Sequence, residues 1–207
     1  MRPLALALAL SLSPALASPQ SLTDNDWFVL EPSVGAAYAN VLAFDNSGLL
    51  PGVNQSSGYG MQLGLTAGMR FSIVTLAAHM DLARYKPYDI GTVGGRVQVH
   101  LPLPVVKPFA RIGFGYAWLG DLNVSSSLIS CTPGASSPAC PSINGWSAAV
   151  GAGVDFAVRR WLTLGAALDL TVLNLNRAAS PTQVSFMNTG DSIGMQLALS
   201  AQAAFRF

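Results

Sequence analysis

Residues alternate in kind over the last sixteen positions, SIGMQLALSAQAAFRF. Ile193, Met195, Leu197, Leu199, Ala201, Ala203, Phe205 and Phe207 fall on one face, and Ser192, Gly194, Gln196, Ala198, Ser200, Gln202, Ala204 and Arg206 on the other. A period of two belongs to a β-strand with unlike faces. The same period recurs upstream. Tyr59 to Phe71 sets Tyr59, Met61, Leu63, Leu65, Ala67, Met69 and Phe71 against Gly60, Gln62, Gly64, Thr66, Gly68 and Arg70. Leu76 to Ala83 opposes Leu76 and Met80 to His79 and Asp81, and Val93 to Leu101 opposes Val97 and Val99 to Arg96, Gln98 and His100. Ala110 to Trp118, Trp146 to Phe156 and Leu162 to Val172 complete the series, with Arg111, Asp155 and Asp169 on their polar faces. The first segment, about Trp27 to Leu42, is the least regular, with Val34, Ala36 and Tyr38 against Glu31, Ser33, Gly35 and Ala37. Pro32 has no N–H to give to a ladder, which predicts a bulge or a late strand start there.

Eight strands result, and their connections alternate in length. Ser72 to Thr75, Pro102 to Pro108 and Ala157 to Trp161 are short, whereas Ala43 to Ser57, Leu119 to Gly145 and Leu173 to Asp191 are long, with Tyr85 to Asp89 between. Short turns at one end and long loops at the other match an outer-membrane barrel, in which the short turns and both termini are periplasmic and the long loops extracellular. Aromatics cluster at both ends of the strands. Trp27, Phe71, Phe109, Phe156, Trp161, Phe205 and Phe207 stand at the short-turn ends, and Tyr38, Tyr59, Tyr85, Tyr116, Trp118 and Trp146 at the long-loop ends. Two interfacial girdles require such an arrangement.

Composition decides which face meets which medium. Charged residues make up 10% and hydrophobic residues 51% of the 207 residues, and mean hydropathy is +0.42. Soluble domains carry about 25% charge. A water-facing surface needs Lys and Glu, yet the polar face here is Gly, Ala, Ser, Thr and Gln with single charges, the small set that fits inside eight strands. A soluble barrel with the apolar face inward, of the lipocalin kind, is the disfavoured alternative. Apolar residues therefore face lipid, and a closed barrel satisfies the backbone there. The expected fold is all-β, an eight-stranded antiparallel up-and-down transmembrane β-barrel in the bacterial outer membrane, monomeric and bathed by the lipid bilayer. The opening MRPLALALALSLSPALAS, with Arg2, a short apolar run and Ala15-Leu16-Ala17, has the form of a secretory signal. Residues 1–17 are expected to be removed and residues 18–207 to form the barrel. A net charge of +1 without a basic run offers nothing to nucleic acid.

The segments KPFARIGFGYAW and GWSAAVGAGVDFAVRRWLTLGAALDL and the final AAFRF resemble the outer-membrane β-barrel family that includes the barrel part of outer membrane protein A and other small eight-stranded proteins. The likeness covers Trp27 to Phe207 and is architectural. It implies that Phe207 and the alternate apolar residues of the last strand act as the signal read by the barrel-assembly machinery.

Candidate chemistry lies on the polar face. Glu31, Asp81, Asp155 and Asp169 oppose Arg70, Arg96, Arg111 and Arg206, a balanced set that reads as an internal ion network plugging the barrel. An open selective channel would carry an excess of one sign. His79 and His100 also point inward; pairing His79 with Arg96 leaves His100 four residues on, ~13 Å away at ~3.3 Å per residue, too far to share a metal. No metal, cofactor or catalytic residue is expected. Enzymes that modify lipid A occur on this architecture, but no His stands on the lipid face and no Ser, His and acid gather at a rim. Cys131 and Cys140 bracket TPGASSPA in the longest loop, and an oxidising compartment favours a disulfide between them. The expected role is structural or interaction-based, through long loops that meet an unidentified extracellular ligand; a small passive pore is the alternative, and a lipid-modifying enzyme a distant one.

Overall fold

A computed structural model describes residues 27–44, 49, 56–86, 88–103, 105–120, 142–178 and 188–207. The expected signal at residues 1–17 and the Cys131 and Cys140 pair lie outside the described residues. The alternating segments form β1 (Phe28–Asn40), β2 (Ser57–Phe71), β3 (Val74–Tyr85), β4 (Asp89–His100), β5 (Val106–Gly120), β6 (Ile143–Arg159), β7 (Leu162–Arg177) and β8 (Gly190–Arg206). They pair in chain order, all antiparallel, and β1 pairs with β8 to close the barrel. Closure leaves no sheet edge, so every strand finds both ladders within the chain. Beside Arg206, Phe207 seals the seam. Its N–H donates to the Phe28 carbonyl at 3.0 Å, and its own carbonyl accepts from Phe28 at 3.2 Å.

Phase sets the two surfaces. Met61, Leu63, Leu65, Leu76, Met80, Ile112, Val150, Leu168 and Leu199 are exposed round the outside, while Gln62, Thr66, His79, Arg96, Arg111, Asp155 and Asp169 are buried within. An apolar surface this continuous suits hydrocarbon and not water. β6, β7 and β8 run 17, 16 and 17 residues, longer than the ~9 to 11 needed to cross a bilayer. They project beyond it at the long-loop end.

Local expectations at two places are corrected. Pro32 makes no bulge: β1 begins before it, Pro32 faces Leu65 in unbroken register with β2, and the β8 register resumes unshifted from Leu30↔Phe205 to Ser33↔Gln202. A proline can sit in a ladder where its missing N–H costs only one rung. The register shift occurs instead at Ala157/Arg159, beside the turn into β7. The hairpin between β3 and β4 is tighter than expected, closed by Arg84↔Asp89, so His79 faces Gly94 and not Arg96. That slip of two residues preserves the inward phase of both histidines.

Candidate functional site

The lumen is filled in layers. Midway along, Arg111 on β5 makes a two-pronged contact with Asp169 on β7: Nε donates to Oδ1 at 2.7 Å and Nη2 donates to Oδ2. Nη1 donates to Gln202 on β8 at 3.1 Å and lies 3.5 Å from Glu31 on β1, while the guanidinium sits 5.5 Å from the centre of the Phe109 ring. One arginine thus joins four strands. Paired oxygens match the guanidinium fork, and such charge-assisted bonds are roughly twice as strong as neutral ones. Sequence makes room for this: Gly151 faces Asp169 and Gly165 faces Asp155 in the β6–β7 register, and a Cβ at either glycine would collide with the carboxylate opposite.

From Gln202 the network continues through its amide to Asp155 at 3.0 Å, and from Asp155 to His100 Nε2 at 3.3 Å. The Gln98 amide nitrogen stands 3.0 Å from the same imidazole nitrogen, whose role as donor to Asp155 or acceptor from Gln98 follows the tautomer of the ring. A second node joins β2, β3 and β4. Arg96 donates to Thr66 at 3.1 Å and to Asp81 at 3.3 Å, with His79 3.8 Å from Asp81. Each histidine belongs to its own carboxylate and the two stand six residues apart by register, His79 being opposite Gly94 and His100 opposite Phe109.

Of the charged residues read from the sequence, Glu31, Arg111, Asp169 and, through Gln202, Asp155 come together, and Asp81 meets Arg96. Arg70 and Arg206 stand toward the short-turn end, where they line one small cavity with Glu31 and Asp155, and Arg70 Nε donates to the Ser72 carbonyl at 3.1 Å. The expected charge balance is corrected by Lys107, which is buried in the lumen at 7% exposure opposite Asp155. Residues Pro102 to Pro108 read as a connection, whereas β5 starts at Val106 and runs through Pro108. Extending the phase of Arg111 back by four residues is the signal that finds Lys107. Among the described residues Lys107 and, in the upper layer, Arg177 thus join the inward cations read from the sequence. The girdles are corrected too: Phe109 and Tyr85 share the inward phase of Arg111 and Asp81, are buried, and pack on His100 and on Tyr88. Trp27, Phe71, Phe156, Trp161 and Phe207 are exposed at the short-turn end, and Tyr59, Tyr116 and Trp146 at the other.

Above the ionic layers, toward the long loops, the lumen is apolar. Tyr85, Ile90, Leu119, Ile143, Leu173 and Leu175 close together with Leu49 from the first long connection, all buried. Tyr88 folds in from the β3–β4 hairpin and donates to the carbonyls of Ser56 at 2.8 Å and Ala39 at 3.4 Å. Burial raises its phenol above the ordinary range, so it stays a neutral donor. Arg177 Nε ties Leu49 down by donating to its carbonyl at 2.9 Å. This layer lies beyond the strands expected from the sequence, which end β5 at Trp118 and β7 at Val172 and begin β6 at Trp146.

No family model matches the chain, and no curated protein matches it by sequence. Solved structures do. Neisserial surface protein A superposes with a TM-score of 0.61 at 15% identity, over 87% of this chain and 97% of that one. The outer membrane protein OprG from Pseudomonas aeruginosa gives 0.50 at 14% identity, covering 88% and 97%, and outer membrane protein AlkL in DMPC lipid bilayers gives 0.50 at 14%, covering 88% and 91%. At such identities the likeness extends to architecture alone, which agrees with the closed antiparallel order of strands and the apolar exterior: the chain has the fold of the small eight-stranded outer-membrane β-barrels.

Proposed function

We propose that the chain is a monomeric integral protein of the bacterial outer membrane, with its termini and short turns in the periplasm and its long loops outside, whose lumen is plugged and whose work is structural or carried by the loops. The observation that supports this reading is the double obstruction of the lumen, by the Arg111 network in the middle and by the Tyr85, Ile90, Leu173 and Leu175 layer above it. A conducting path would have to break charge-assisted bonds in a low-dielectric interior and also wet a packed apolar constriction. By resemblance, Phe207 at the seam serves as the mark read by the barrel-assembly machinery. Catalysis on lipid has no support, because both histidines are buried in the lumen, out of reach of the lipid face.

The alternative reading is a small passive pore, to which Lys107 adds an inward cation beyond those read from the sequence. Planar-bilayer recording separates the two. The plugged barrel is expected to give no unitary current, in the native chain and in Arg111→Ala alike, since the apolar layer still closes the lumen of that variant; steady currents from the native chain would overturn the plug.

A further inference from the structure

The end of β6 departs from strict alternation. Phe156 faces Leu164 and Arg159 faces Leu162, so that three steps along β6 match two along β7 and Val158 is the extra residue. Asp155 lies in the lumen, and unbroken alternation from it through Ala157 would point Arg159 inward as well. The bulge instead sets Arg159 opposite Leu162, in the phase of the exposed Leu164 and Leu168. Arg159 is exposed, and so is Arg160 beside it in the turn. A bulge at a barrel rim re-aims a side chain, and this one turns an arginine out of the lumen to stand next to a second.

The wall above this pair is apolar. Val105, Val106, Phe156 and Val158 are exposed, and the Ala157 N–H donates to the Val105 carbonyl at 3.3 Å. On the β8 side the half-exposed Trp161 stacks on Phe205, with 6.1 Å between ring centres and 17° between planes. Such side chains border hydrocarbon, and guanidinium groups at their foot reach the level of the lipid headgroups. No ion pair joins Arg159 or Arg160 to a described carboxylate. The outward carboxylate side chains among the described residues, Asp89 and Asp191, both stand at the long-loop end, and the Phe207 carbonyl is engaged at the seam by the Phe28 N–H at 3.2 Å.

We propose that Arg159 and Arg160 bind the headgroup phosphate of a phospholipid with net negative charge, of the phosphatidylglycerol class, whose acyl chains lie along the wall beside Val106, Phe156 and Trp161. Guanidinium groups match phosphate oxygens in pairs, and the contact is charge-assisted. A zwitterionic headgroup fits less well. Its ammonium group would lie beside a second cation, with no outward carboxylate side chain at this end to receive it. The site belongs to whichever leaflet the short turns meet, the periplasmic one under the orientation proposed above.

The test is native mass spectrometry of the full refolded chain in a non-ionic detergent, titrated with phosphatidylglycerol or with phosphatidylcholine of the same acyl chains. The native chain is expected to hold phosphatidylglycerol about tenfold more tightly. R159Q and R160Q are each expected to weaken that binding about fivefold, the effect of one arginine beside an anionic lipid, and the double variant to hold both lipids equally. K86Q, which removes an exposed cation from the β3–β4 hairpin at the opposite end, is expected to leave the preference in place. Equal retention of the two lipids by the native chain would overturn the site, as would a preference that survives in the double variant or falls as far in K86Q. The native-chain comparison stands even where a variant fails to refold, and in micelles it is independent of the proposed orientation and of the plug.

Discussion

Two parts of the same wall are built in opposite sense. Lower on β7, Leu164, Leu168 and Leu170 face out and Thr163, Asp169 and Thr171 face in; a few residues on, Asn174 and Asn176 face out while Leu173 and Leu175 face in. Neighbouring strands invert with it. Arg84 and Asp89 pair on the outside with Tyr85 and Ile90 inside, and Asn144 is outside with Ile143 inside. The backbone does not change across the inversion, since register and pairing run on without a break. The medium outside does. In hydrocarbon an apolar exterior leaves the polar groups to satisfy one another within, and above it, in water, the same strands build the apolar core of an ordinary soluble barrel. The exposed aromatics Tyr59, Tyr116 and Trp146 lie close to that boundary, as interfacial side chains do. The inversion point therefore marks where the strands leave the bilayer.

The contrast can be broken from either side. Arg111→Met attacks the polar lower core: it strands Asp169 and Glu31 without their cation and is expected to lower the unfolding free energy by about 3–5 kcal/mol. Urea titration in micelles reads it, and a loss no greater than for the exposed Arg84→Met would mean that the ionic layer is no core at all. Leu173→Ala attacks the apolar upper core, where Leu173 is 0% exposed. It loses both transfer energy and packing, about 3 kcal/mol or more. Leu168 on the same strand is 51% exposed. Leu168→Ala is expected to lose only the transfer contribution of about 2 kcal/mol, because lipid refills the gap. Equal losses would show that the upper layer is not packed as a core.

The smallest effect is local to the short turns. Ser72 is held at φ 57°, in the Ser72–Ile73 turn between β2 and β3. That is a left-handed backbone, which a serine adopts at a cost. Ser72→Gly is expected to raise stability by less than ~1 kcal/mol, the relief of strain being offset in part by the freer unfolded chain. The same titration reads it, and a clear loss would assign the serine side chain a role in seating the turn.

Much of this is legible in the chain. Strict alternation names the lipid face and the lumen face of every strand, and inward phase alone selects Glu31, Asp81, Arg96, Arg111, Asp155 and Asp169 as lumen charges. Strand ends are the weak point, for two reasons. Pro108 hides the start of β5 and with it Lys107, because a proline reads as a break although its ring is tolerated where one rung is missing. Leu173, Leu175 and Ile143 read as loop because the alternation there runs in the opposite sense, so a search for one pattern stops where the second begins. Phe109 and Tyr85 read as girdle residues because they stand near strand ends, although their phase points them inward.

By itself, the sequence determined the number of strands and the lipid and lumen faces of their central parts, because a period of two and a low charge content follow from local geometry and solvation. Which lumen groups meet was decided only by the closed barrel. Arg111 takes its partners from β1, β7 and β8, and their meeting depends on register and closure summed round the whole wall.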